Sequence, residues 1–190
     1  ITLNTSLNFQ GGGGSGSGAT LFNGAISGPG VFCITNGRVV FSASSTVTST
    51  GGFIVVPSTG WAGQLSFLGT TNSAGTISIT GGTTGTPNFV AYQSAASLPT
   101  GTITCLGGDL VDWSFATIIP LSTSTISNPI VLAGHGAGSV GTSITATWAG
   151  DVSGAGTLRK HGNGTLVLAG SSAARTGDTV VAAGTLQLNN

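Results

Sequence analysis

From Gly150 to Asn190 the sequence repeats one small figure. Gly-Asp-Val-Ser-Gly-Ala-Gly-Thr-Leu-Arg-Lys-His-Gly-Asn-Gly-Thr-Leu-Val-Leu-Ala-Gly is followed by a short polar stretch, then by Thr-Val-Val-Ala-Ala-Gly-Thr-Leu-Gln-Leu. Apolar side chains alternate over a few positions (Leu166 and Leu168, Val180, Leu186 and Leu188), and glycine or a small polar pair interrupts each run. Alternation with period two over so short a run marks a half-buried strand. Turns recurring at this pace predict one strand per turn of a coil, repeated along a rod.

Composition narrows the choice. Charged residues make up 4% of the chain, against roughly 25% in average domains. Hydrophobic residues are 39%, too many for a disordered chain. Good helix formers are scarce, while Val, Ile, Thr and Phe are plentiful, which predicts an all-β fold. The formal net charge is zero, so no nucleic-acid partner and no anionic-lipid partner is expected. No run is long and apolar enough for a membrane helix, and no membrane insertion is expected. So few charges protect a monomer poorly against association, and association is therefore expected to be the chain's purpose. Ile1 reads as a mature or trimmed N-terminus, consistent with export.

Three parts follow from the pattern. Residues 1–10 alternate cleanly, with Ile1, Leu3, Leu7 and Phe9 on one side and Thr2, Asn4, Ser6, Asn8 and Gln10 on the other. Residues 11–18 are a Gly/Ser linker. Residues 19–190 form the β-solenoid body, with a repeat-like segment at 124–190. A good strand on a flexible leash has two readings: the first strand of its own body, or a donor strand that completes a neighbour's sheet. Within the body, strands are predicted near 20–22, 31–35, 38–42, 53–56, 64–68, 76–80, 88–92, 102–106 and 110–118. Further strands are predicted near 130–133, 143–148, 156–159, 165–169, 179–181 and 185–188.

An internal echo supports stacking coils. Asn23-Gly-Ala-Ile-Ser-Gly-Pro-Gly, with the strand that follows to Phe41, parallels Ala149-Gly-Asp-Val-Ser-Gly-Ala-Gly and the strand after it. The segments 150–170 and 176–188 resemble the autotransporter-associated β-strand repeat, and Ile126–Gly134 is similar to the run that often precedes it. The resemblance implies a right-handed parallel β-helix, exported to the bacterial cell surface, as in passenger and adhesin-like proteins.

Chemistry-bearing residues are few. Asp109 and Asp112 are the closest carboxylate pair. They could serve a glycosidase or a calcium ion, but beside Gly107-Gly108 ordinary turn acids are expected. His135 and His161 read as lying in glycine turns, without the spaced partners a metal needs. Gly136-Ala-Gly-Ser-Val-Gly141 spells a dinucleotide fingerprint after a strand, but Thr142–Trp148 reads as another strand, and the motif needs a helix there. Arg159, Lys160 and Arg175 form a weak basic cluster, read as a solvated face or as a contact for an acidic glycan. Trp61, Trp113, Trp148 and Tyr92 read as core or coil-end packing, with sugar stacking as the alternative. Cys33 and Cys105 are either one disulfide or two separate buried thiols. No catalytic residue, cofactor or metal is expected, and the chain is not expected to be an enzyme.

The expected function is an extracellular structural protein that assembles head to tail into a filament or surface layer. Its partners would be copies of itself, joined by β-edge completion through Ile1, Leu3, Leu7, Phe9, Leu186 and Leu188. The alternative is an adhesin-type module that binds glycan or protein.

Overall fold

The computed structural model describes residues 1–10, 18–56, 63–82, 87–107 and 115–189. Short strands follow one another around a coil of about seven turns. The first turns hold β1 (Leu7–Gln10), β2 (Ala19–Phe22), β3 (Ala25–Ile26), β4 (Phe32–Phe41), β5 (Thr46–Val47), β6 (Phe53–Val55), β7 (Gly63–Phe67) and β8 (Thr70–Thr71). Next come β9 (Ile77–Ile79), β10 (Phe89–Tyr92), a 3₁₀ turn at Ala95–Ser97, β11 (Ile103–Cys105), β12 (Ala116–Pro120) and β13 (Ser124–Ile126). The last turns hold β14 (Ile130–Leu132), β15 (Gly136–Ser139), β16 (Thr145–Trp148), β17 (Val152–Ser153), β18 (Leu158–His161), β19 (Thr165–Leu168), β20 (Thr179–Val181) and β21 (Thr185–Leu188).

Every strand pair is parallel, so the fold is the expected parallel β-solenoid, and it has three faces. The first face stacks β1, the start of β4, β6, β9, β11, β14 and β17. The second stacks β2, the end of β4, β7, β10, β12, β15, β18 and β20. The third is split: β3, β5 and β8 form one sheet, β13, β16, β19 and β21 another. The 3₁₀ turn packs between β8 and β13, where a strand would join the two.

Identical strand positions stack over one another, so each face builds ladders that point inward or outward. On the first face Leu7, Phe32, Phe53, Ile77, Ile103, Ile130 and Val152 form one interior ladder. From Phe32 onward its members are buried. In the N-terminal turns the interior is aromatic. Phe9, Phe22, Phe32, Phe41, Phe53 and Phe67 touch in sequence, with ring centroids 5.1–6.4 Å apart. Edge-on and tilted pairs at this spacing add to the gain from burial.

The corners are polar and tight. Ser49 Oγ donates to the carbonyls of Gly28 (3.0 Å) and Gly30 (3.2 Å) one turn below. Ser73 Oγ in turn donates to the Ser49 carbonyl, and Thr100 Oγ1 to that of Ser73 at 3.2 Å. Asn128 Nδ2 donates to Pro99 O (2.6 Å) and Gly101 O (2.7 Å). Small hydroxyl and amide side chains thus add a second donor at corner carbonyls such as Gly28 O and Ser73 O, which main-chain N–H groups also reach.

The sequence echo corresponds to a repeated corner. Gly28 and Gly154 both adopt φ +103°. Each is followed by a glycine N–H donating to a leucine carbonyl one turn below, Gly30 to Leu3 at 2.8 Å and Gly156 to Leu132 at 2.7 Å. A Cβ at either positive-φ position would lie 2.3 Å from that carbonyl oxygen, so only glycine fits. The two corners sit on different edges of the coil: Gly28 leads from the third face to the first, Gly154 from the first to the second. The repeat conserves a corner, not a face.

Of the two readings of the N-terminal strand, the structure shows the first, a strand laid on its own body. β1 pairs with β4 of the same chain, Leu7 N–H donates to Val31 O at 2.8 Å, and the Ile1 ammonium to Ala25 O at 2.6 Å. Leu3 is 5% exposed and belongs to the core together with Ile26. Leu3, Leu7 and Phe9 thus pack on the chain's own first turn. Residues 11–17 of the linker lie outside the described residues.

Candidate functional site

The features that set this molecule apart lie at its two ends and in one buried cation. At the C-terminal end, β20 and β21 are the last strands of the second and third faces. Among the described residues no strand pairs with their outer edges. Val181 stacks on Lys160, and Leu186 and Leu188 stack on Leu166 and Leu168, so all three occupy interior-ladder positions. Yet Val181 is 51% and Leu188 64% exposed. At the N-terminal end, Ile1 lies on the same side as buried Leu3 and is 61% exposed, while Leu7, Phe9 and Phe22 are half-buried. Leu188 and Ile1 are the most exposed large apolar side chains among the described residues. Both point where a core should be.

Lys160 is the inverse case, a charged group where the ladder calls for an apolar one. Strand alternation through Leu158-Arg159-Lys160-His161 turns Leu158 and Lys160 inward and Arg159 and His161 outward. Lys160 is fully buried. Its ammonium donates to His161 O (2.7 Å), Gly162 O (2.7 Å) and Ala183 O (3.1 Å), so all three donors are used. Burial pulls its pKa below the ordinary lysine value.

On the outer side of β18, Arg159 Nε donates to His161 Nε2 at 2.6 Å. The imidazole stacks on Phe115, with centroids 5.2 Å apart and planes at 19°, and the Arg159 guanidinium lies 5.7 Å from the same ring. Desolvation, then the charges of Arg159 and Lys160, hold His161 below the usual histidine range. It is therefore the neutral ring that accepts from Arg159. Arg175, in turn, donates to Asp178 O and to Thr179 Oγ1. The basic cluster expected from sequence does not form: Lys160 points into the core, and Arg159 is engaged by its own strand.

The other sequence candidates fall into place singly. His161 is a buried strand residue rather than a turn residue. His135 precedes β15, and its Nδ1 is buried without a hydrogen-bond partner. Among the described residues no three His, Cys, Asp or Glu side chains gather as a metal would require. Trp148 and Tyr92 are buried in the core, which rules out sugar stacking by them. Asp109, Asp112, Trp61 and Trp113 lie outside the described residues. Gly136–Ser139, the supposed fingerprint, is strand β15. Gly138 is glycine because a Cβ there would lie 2.8 Å from Leu166 Cδ2 and 3.2 Å from the Trp148 ring.

A Cys33–Cys105 disulfide is also excluded. Cys33 stacks under Ile54, Ser78 and then Thr104, the neighbour of Cys105. Three rungs at about 4.8 Å put the two cysteines roughly 14 Å apart, beyond disulfide reach. Cys105 also points inward, where burial pushes its thiol up to about 12, and both thiols are free.

Three-faced parallel stacking with glycine corners defines a parallel β-solenoid. The passenger-associated-transport-repeat family matches residues 158–188, which run from β18 to β21, and the chain carries that repeat. The repeat implies a secreted or cell-surface protein. No curated protein and no solved structure matches the chain.

Proposed function

We propose that this chain is a structural segment of an exported surface protein, and that its end rungs stack head to tail with those of a second copy. The observation that carries this reading is the exposure of interior-ladder side chains, Ile1 at one end and Val181 and Leu188 at the other, beside strand edges that no described strand covers. Such edges recruit further strands unless charge or proline blocks them. All strands wind in the same sense, so a head-to-tail junction continues the parallel pairing. Ile1 and Leu3, which lie along β3 on the third face, would meet Leu186 and Leu188 of the neighbour. Phe22 on the second face would meet Val181. A contact between two different surfaces propagates rather than closes, which suits a filament or a layer.

The test is sedimentation and negative-stain imaging of the wild type beside Val181→Lys/Leu188→Lys. The expected result is concentration-dependent rods for the wild type and single particles for the variant, because lysine on an edge opposes pairing. Rods of equal length from both would sink the stacking reading. A wild type that stays monomeric at all concentrations and binds a glycan array would move the assignment to an adhesin-type passenger module.

A further inference from the structure

The interior ladder of the second face runs Val39, Leu65, Val90, Ile118, Gly138, Lys160, Val181. Only Lys160 is charged. Its acceptors explain why an ammonium can stand there. His161 O and Gly162 O belong to the turn that leaves β18, while Ala183 O belongs to the turn between β20 and β21, one rung further on. Gly162 and Gly184 take φ +71° and +69°, the left-handed geometry that lets each corner turn within one residue. A Cβ on Gly184 would lie 2.8 Å from the Lys160 Nζ and 2.4 Å from the carbonyl oxygens of Gly162 and Gly164. Lys160 O also accepts from Ala182 N–H at 2.9 Å. One residue therefore grips the next rung through both its side chain and its main chain.

Beyond its main-chain pairing with β18 and β19, the last rung buries little side chain. Val181 and Leu188 are mostly exposed, and Leu186 is only partly buried. Its side-chain contribution to the core is small beside that of any inner rung, so charge-assisted hydrogen bonds weigh more there. We propose that Lys160 fastens the last rung to the body of the solenoid, and thereby presents the C-terminal edge for stacking. The proposal rests on the end-stacking reading for its consequence, but the fastening itself is a property of a single molecule. Methionine at this position keeps the apolar stem and removes the three donors.

Hydrogen exchange of the full chain, read by mass spectrometry at a concentration where sedimentation shows one copy, compares wild type with Lys160→Met. The expected result is at least tenfold faster exchange in residues 179–188 of the variant, with residues 63–67 and 145–148 unchanged. Equal protection of 179–188 in both proteins would overturn the proposal. Loss of protection throughout the chain would overturn it too, because the fastening is assigned to the last rung alone. Sedimentation at high concentration then separates the two ideas. A variant with a loosened rung that still forms rods leaves the fastening intact and refutes stacking through this edge. A variant with unchanged exchange refutes the fastening and leaves stacking to be judged by the edge-lysine variant.

Discussion

The two halves of this solenoid fill the same cross-section in different ways. From Phe9 to Phe67 the interior is a continuous run of phenylalanine rings, each touching rings in the turns above and below. From Gly136 to Leu188 the interior has no such run. Trp148 takes up the space that Gly138 leaves on the facing strand, and one rung further the same ladder position holds the ammonium of Lys160. Rings stacked along an axis need no directional partner, so the N-terminal turns can tolerate strands only two residues long on the third face. The C-terminal turns replace ring contacts with longer strands there, four residues in β16, β19 and β21, and with hydrogen bonds aimed at particular carbonyls. Volume in one half and geometry in the other give the same rung.

That contrast predicts unequal responses to mutation. The largest should come from Phe41→Ala, since Phe41 touches Phe22, Phe32, Phe53 and Phe67. A loss of about 3–5 kcal/mol is expected in denaturant unfolding; a loss below about 1 kcal/mol would mean that the ring run is not what holds the N-terminal turns. Gly138→Ala should cost about 1–3 kcal/mol by overpacking, and much of this should return when Trp148→Leu is added. Strict additivity of the two changes would show that the ring and the glycine do not share one space.

Other effects come with pH. The Cys105 thiol is raised from 9.0 to about 12 by burial, so above pH 9 the unfolded chain ionises there and the folded chain does not. Stability should fall between pH 9 and 12, by at most about 1.4 kcal/mol per pH unit, and Cys105→Ala should flatten that slope. His161 works in the opposite direction. Its lowered pKa means that the unfolded chain takes up a proton first on acidification, so stability should be lost as pH falls below about 6.5. His161→Gln should reduce that loss, and an unaltered acid limb would show that the ring is protonated in the folded state. The smallest effect is a null one: reductant should leave the melting temperature unchanged, because no disulfide joins Cys33 to Cys105.

The sequence made the solenoid legible because apolar residues recur at every second position in many of its strands. Leu166/Leu168, Phe53/Val55 and Ile103/Cys105 each announced a strand and its buried side. What stayed hidden had little alternation to offer. β3, β5, β8 and β17 are two residues long, too short for a period to show, and β15 reads Gly-Ala-Gly-Ser because Trp148 occupies its interior space. Lys160 was grouped with Arg159 as surface charge, although its parity with Leu158 placed it inside; the charge outweighed the parity in the reading. The N-terminal strand was legible as a strand, but its attachment was not, because alternation shows which side is buried and not against which molecule.

The interruption of the third face has a mechanical consequence. Among the described residues two walls of the rod are paired from turn to turn, one as far as β17 and the other as far as β20, while the third changes to a 3₁₀ turn at Ala95–Ser97. A beam with two continuous walls and one spliced wall resists flexing within the plane of the continuous pair and yields most readily toward or away from the splice. Under load, the curvature of this molecule should therefore concentrate near residues 95–97, along the axis through the splice.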